Sequence, residues 1–212
     1  MKKTVLFDFD GTIADTLPFC FTAFRSTFST FLQKEYSDEH IVSLFGPTEI
    51  EMIRAELPTQ HHEEAIEHFY RVYTEEQRRV QNPPKIMQMV QAFHQAGIKM
   101  GIVTGKGKRS ADISIELLQL QPYFSVVITG DDVEKPKPDP EGIHKALAVI
   151  GETADKVWFV GDSDADVQAA RAAGITAVGV NWFAVSQKMG GFQPEPDYFI
   201  TDPGQLMEIV LR

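Results

Sequence analysis

Short apolar, β-branched runs recur along this chain, and longer stretches with helical spacing separate most of them. That alternation limits the folds open to it more than any other feature. The runs cover residues 4–9, 99–104, 125–129, 157–160 and 176–180, with a weaker sixth at 198–200. Strands apolar on both faces suit a parallel sheet covered by helices. Between them, Ile86, Met89, Val90 and Phe93 lie at helical spacing and Gly97 follows as a stop. Ile143, Leu147 and Ile150 repeat the pattern before Gly151, and an Ala-rich stretch over 166–173 ends at Gly174. Asp202-Pro203 supplies an N-cap and first-turn proline for a last helix. The predicted fold class is α/β, a Rossmann-like doubly wound parallel sheet.

Residues 15–82 break this rhythm, with no convincing strand. Phe21, Phe24, Phe28 and Phe31 form one helical stripe, and Ala65, Phe69 and Val72 form another. The stretch reads as a helical insertion whose aromatic stripe is its own core. Asn82-Pro83-Pro84 marks the return to the sheet. The predicted organisation is an α/β core over 1–14 and 83–212 with an all-helical unit over 15–82.

A chain of 212 residues is long enough for one sizeable core and a smaller appended unit. Its net charge of −10, with no run of Lys or Arg, argues against nucleic acid as a partner. Lys2-Lys3 and Arg78-Arg79 read as solvated charges. The lone Cys20 sits among Phe19, Phe21 and Phe24 and reads as a buried, inert thiol. After Met1-Lys2-Lys3 the apolar run is only Val5-Leu6-Phe7, shorter than the roughly 7–15 residues of a secretory core segment. No stretch approaches the roughly 20 apolar residues of a membrane span. The expectation is a soluble cytoplasmic protein with no membrane partner.

The chemistry-bearing residues stand at four predicted strand ends, where open α/β sheets bind ligands. Asp8-Phe9-Asp10-Gly11-Thr12 follows the first strand. Two carboxylates this close need a cation or a shared proton, although both could instead cap the next helix. Thr104-Gly105-Lys106 follows the second, where a hydroxyl and free backbone N–H groups can hold a phosphate oxygen. Lys135-Pro136-Lys137-Pro138-Asp139-Pro140 follows the third, its prolines stiffening a loop that would fix a lysine over the site. Gly161-Asp162-Ser163-Asp164-Ala165-Asp166 follows the fourth and offers carboxylates for a hard cation, or an N-cap and acidic first turn.

In that order, DFDGT, the strand-ending Thr104, KPKPDP and GDSDAD resemble the four motifs of the haloacid dehalogenase superfamily. The helical insertion resembles its C1-type cap. The VT-x-K run and the DDVE-to-KPDPE region look most like the phosphoglycolate phosphatase and PpaX-like pyrophosphatase branch. Gly105 departs from the Asn or Thr of many relatives. The resemblance implies a Mg²⁺-dependent phosphohydrolase acting on a small phosphorylated metabolite or pyrophosphate. It implies Asp8 as a nucleophile forming an aspartyl-phosphate and Asp10 as general acid/base. Asp8, Thr104, Gly105 and Lys135 would hold the phosphate. Mg²⁺ would take the Asp8 carboxylate, the Asp10 backbone carbonyl and Asp162, with Asp166 as a ligand or acting through water. The motif alignment picks Lys135 as the acting lysine and puts Lys137 at a variable place.

Three other readings compete. A dehalogenase needs no Mg²⁺ and no second acid, so Asp10 and the Asp162/Asp166 pair argue against it. A β-phosphoglucomutase-type phosphomutase shares all four motifs. A phosphorylated receiver-like signalling domain is shorter, lacks a large helical insertion, and carries its phosphorylated Asp later in the chain. Leu44-Phe45-Gly46-Pro47-Thr48 is read either as a turn reaching the site or as a plain helix–helix connector. The oligomeric state is not legible.

Overall fold

The computed structural model describes residues 4–81, 83–185 and 191–212. Lys2-Lys3 and Asn82 lie outside the described residues. Six parallel strands form one sheet in the order β3-β2-β1-β4-β5-β6. They are β1 (Thr4–Phe7), β2 (Lys99–Val103), β3 (Val126–Ile128), β4 (Val157–Gly161), β5 (Thr176–Val180) and β6 (Tyr198–Ile200). Side chains alternate between two apolar layers. Val5 and Phe7 of β1, Trp158 and Val160 of β4, and Val178 and Val180 of β5 enter one. Leu6, Val157, Phe159 and Ala177 enter the other. Helices α5 (Pro84–Gln95), α6 (Lys108–Leu117) and α9 (Pro203–Leu211) cover the first layer. Helices α7 (Glu141–Ile150) and α8 (Asp164–Ala172) cover the second. Covering both faces is why these strands read as unbroken apolar runs.

The first strand ends two residues earlier than predicted. The carbonyl oxygen of Phe9 accepts the backbone N–H groups of Thr12, Ile13 and Ala14, which folds residues 9–14 away from the sheet. Asp8 still donates its backbone N–H to Val160 O at 2.8 Å, so its side chain leaves from the very edge of the ladder. The helix predicted over 166–173 starts earlier, because Ser163 and Asp166 form a capping box that opens α8 at Asp164.

Between β1 and β2 lie α1 (Leu17–Leu32), α2 (Asp38–Ser43), α3 (Glu49–Glu56) and α4 (His62–Gln77). Phe21, Phe24 and Phe28 of α1 pack with Phe69, Tyr70 and Tyr73 of α4 in a cluster separate from the sheet's two layers. Phe31 and Val72 only border it. At about 1.5–3 kcal/mol per fully buried large apolar side chain, these aromatics are ample reason for four short helices to hold together. Cys20 is buried in the same cluster, and burial pushes its thiol pKa up.

Candidate active site

The chain crosses from β3 on one side of β1 to β4 on the other, which places the switch of strand order between β1 and β4. Ligands bind at such crevices. Asp8 beyond β1, Asp162 beyond β4 and Asp166 in the first turn of α8 converge there. One carboxylate oxygen of each lies within 4.8 Å of the others, and all three residues are buried.

Lys137 joins them. Its Nζ stands 2.9 Å from Asp8 Oδ1 and 2.6 Å from Asp166 Oδ1. Burial drives the Asp8 carboxyl up to about 6, opposed by Lys137 and reinforced by the Asp166 charge. Burial also works against the Lys137 ammonium, yet Asp166 and Asp8 hold its pKa above the ordinary lysine range. The other oxygen of Asp166 accepts from the Ser163 backbone N–H at 3.0 Å and from Ser163 Oγ at 2.6 Å.

The expectation that Lys135 stands over the site is corrected. Lys135 is exposed and does not line the cavity at Asp8; Lys137 does. The physical reason lies downstream. The Glu141 carboxylate accepts the backbone N–H groups of Glu134 (3.1 Å to Oε1) and Lys135 (3.0 Å to Oε2), pinning that segment on the outer surface. A turn closed by Asp139 N–H to Pro136 O at 3.0 Å then carries Lys137 inward. Lys145 and those two amides hold the Glu141 carboxyl down to about 2.

Asp10 faces the same cavity with both oxygens engaged. Thr16 Oγ1 donates to Oδ1, and Lys106 Nζ lies 2.9 Å from Oδ2. Lys106 is a residue that the sequence reading passed over, although it closes the Thr104-Gly105-Lys106 exit. It is almost fully buried and also approaches Glu49 Oε1 at 3.5 Å. Burial disfavours its charge, but the Asp10 and Glu49 carboxylates raise its pKa well above the usual value. Glu49, the first residue of α3, accepts the Gly107 backbone N–H at 2.7 Å through Oε2. Thr104 is buried, and its Oγ1 accepts the Lys106 backbone N–H at 3.2 Å.

Asp8, Asp10, Thr104, Gly105, Lys106 and Lys137 all line one cavity of about 310 Å³. The turn at Phe45, Gly46 and Pro47 reaches the cavity as well, which decides between the two readings of that segment.

Two glycines keep the carboxylates in place. Gly11 has φ +78, and a Cβ there would fall 2.3 Å from Asp162 Oδ2. A Cβ on Gly161 would fall 2.3 Å from Asp166 Cγ. Gly161→Ala therefore has to displace Asp166. Overpacking of this kind costs about 1–3 kcal/mol, or about 2–12 °C in Tm for a chain of this size. The expected result is a lower Tm together with a loss of whatever activity the carboxylate cluster supports. An unchanged melt and full activity would mean that Asp166 is not held against this glycine.

Buried carboxylates and a lysine thus gather at the switch point of a parallel α/β sheet, where such folds bind ligands. The sequence profile of the haloacid dehalogenase-like hydrolases matches residues 5–180, and the chain belongs to that family. It is 32% identical over 210 residues to pyrophosphatase PpaX of Anoxybacillus flavithermus, covering 98% of this chain and 96% of that one. Pyrophosphatase PpaX of Bacillus pumilus is 30% identical over the same shares. In fold it superposes on a predicted phosphoglycolate phosphatase from Haemophilus somnus with a TM-score of 0.84 at 21% identity, over 98% of this chain and 97% of that one. The chain is a phosphohydrolase. Among the described residues no helix is long and apolar enough to cross a membrane.

Proposed function

We propose that this chain hydrolyses a small phosphate ester or pyrophosphate in two displacements on Asp8, with Mg²⁺ as its cofactor. The observation that carries this reading is the Asp8 carboxylate at the β1 edge, with Lys137 on one of its oxygens and Asp10 lining the same cavity.

Three buried carboxylates against one lysine make a donor set of hard oxygens with excess negative charge, which fits a small divalent cation. Asp8 and Asp162 would hold it with the Asp10 backbone carbonyl. Asp166, whose oxygens already serve Lys137 and Ser163, would act chiefly by positioning that lysine. When bound, the cation neutralises negative charge on the transferring phosphate.

The residues divide the remaining work. An Asp8 oxygen attacks phosphorus, and the bond to the leaving oxygen breaks. Asp10 gives that oxygen its proton. Water then attacks the phosphoryl group on Asp8, its proton passes to Asp10, and the Asp8 carboxylate is regenerated. Thr104 Oγ1, the Gly105 backbone and the Lys137 ammonium hold phosphate oxygens. Residues 15–82 act as a cap over the core formed by 1–14 and 83–212, and closing it excludes water. The lone cysteine fits a cytoplasmic place of work.

EDTA is expected to abolish turnover of p-nitrophenyl phosphate and of pyrophosphate, and Mg²⁺ to restore it. Ca²⁺ should substitute poorly. It favours more ligands and can take both Asp8 oxygens, leaving none to attack. Full activity in chelator would sink the metal assignment.

A further inference from the structure

Beyond the carboxylates the cavity changes character. Its remaining walls include Leu17, Cys20 and Phe24 of α1, Phe45 of the turn and Met52 of α3. The cations among its lining residues are Lys106 and Lys137, and each already stands between two carboxylates. Glu49 adds a buried negative charge from the helical side, fixed by Lys106 and the Gly107 N–H. A transferred phosphate finds Lys137, Thr104 and the metal donors. Among the described residues, a second anionic group on the same substrate would meet apolar walls, Glu49, or Lys106, whose charge Asp10 and Glu49 already share.

We infer that the group esterified to the phosphate is uncharged and largely apolar, an alcohol or phenol rather than a second phosphate or a carboxylate. This rests on the phosphohydrolase reading and narrows it. Selectivity here works by exclusion. Like-charge juxtaposition with Glu49 rejects an anionic leaving group, and contact with Leu17, Phe24 and Met52 favours an apolar one. Pyrophosphate, which the relatives' name implies as their substrate, would direct its second phosphate toward that wall. Glu49 is a specificity residue in this account. It takes no part in the bond-breaking steps, and its effect should fall on the ratio between substrates.

The test compares two esters of one shape, 3-methylbutyl phosphate and 3-phosphooxypropanoate, which differ at the far end by an isopropyl group against a carboxylate. With wild-type enzyme and Mg²⁺, kcat/KM should favour the neutral ester by about 10-fold or more, with pyrophosphate also below it. Glu49→Gln should shrink that ratio by raising the carboxylate ester relative to the neutral one. The wild-type comparison stands even if the variant folds poorly. Equal or better turnover of the carboxylate ester or of pyrophosphate would overturn the inference while leaving the hydrolase reading intact. A ratio unmoved by Glu49→Gln in a folded variant would remove Glu49 from it. Failure to hydrolyse even p-nitrophenyl phosphate in Mg²⁺ would defeat the hydrolase reading itself, and the inference with it.

Discussion

Lys137→Ala is expected to lower kcat/KM for p-nitrophenyl phosphate by at least about 100-fold, the scale for a lost electrostatic stabiliser, while Lys135→Ala stays near wild type. The argument is geometric. Lys137 Nζ bridges Asp8 and Asp166 at 2.9 and 2.6 Å, whereas Lys135 is exposed and contributes its backbone N–H to Glu141. Removing the ammonium leaves two buried carboxylates facing each other. Breaking a buried pair from one side typically costs about 3–5 kcal/mol, so Lys137→Ala should also melt earlier in the absence of Mg²⁺. Added Mg²⁺ should recover part of that Tm, because it binds the folded state and opposes the same charges, but not the rate. Steady-state kinetics and thermal melts with and without Mg²⁺ check both halves. If Lys135→Ala were the crippling change, the turn from Pro136 to Asp139 could not carry the lysine inward as described.

The other large effect separates Asp8 from Asp10 by step. Asp8→Asn replaces the attacking carboxylate with an amide, a poor nucleophile, so no phosphoenzyme should form and turnover should fall to background. Asp10→Asn keeps Asp8 and its pairing with Lys137 but loses the proton donor and the base. General acid–base help is typically about 10²–10⁴-fold. Nitrophenolate leaves with little need of a proton, whereas an alkoxide needs one. Asp10→Asn should therefore still release a burst of nitrophenol and then stall, because the second step needs a base whatever the leaving group was. Mass spectrometry should find the retained phosphoryl group on Asp8. A burst from Asp8→Asn, or label on another residue, would falsify the assignment of the nucleophile. No burst from Asp10→Asn, with alkyl and aryl substrates slowed alike, would mean that Asp10 serves to orient the site through Thr16 and Lys106.

Much of the framework was legible because it is written in local patterns. Both-face burial of the strands shows as unbroken apolar runs, and the alternation with helical periods prescribes a parallel sheet. The Asp202-Pro203 and Gly151 signals act within one turn of chain, and both stand where they were read: Asp202 caps α9 and Gly151 closes α7 in the left-handed region. Even the weak run at 198–200 is a strand, paired to β5 at the sheet edge. Boundaries were less legible where a single acceptor redirects the backbone, as Phe9 O does for the stretch after Asp8.

The site divides the same way. Sequence order alone brought Asp8, Asp10, Thr104, Asp162 and Asp166 to strand ends of one sheet, since a parallel sheet delivers every such end to the same edge. It picked Lys135 over Lys137, two lysines that each precede a proline in one short loop, and the structure puts Lys137 against Asp8 instead. That placement was made by the Glu141 carboxylate, which fastens one part of the loop to the surface and leaves the next to turn inward. Nor could sequence order find Lys106 and Glu49, which lie 57 residues apart. An acidic helix start such as Glu49-Ile50-Glu51 reads as solvated, and a charged residue is nearly fully buried only when a partner meets it there. Local sequence determined the elements and the class of chemistry, because periodicity and strand ends are properties of short segments. Tertiary packing decided which lysine stands against Asp8 and which side chains line the cavity, because pairing a buried charge depends on groups that meet only when the chain has folded.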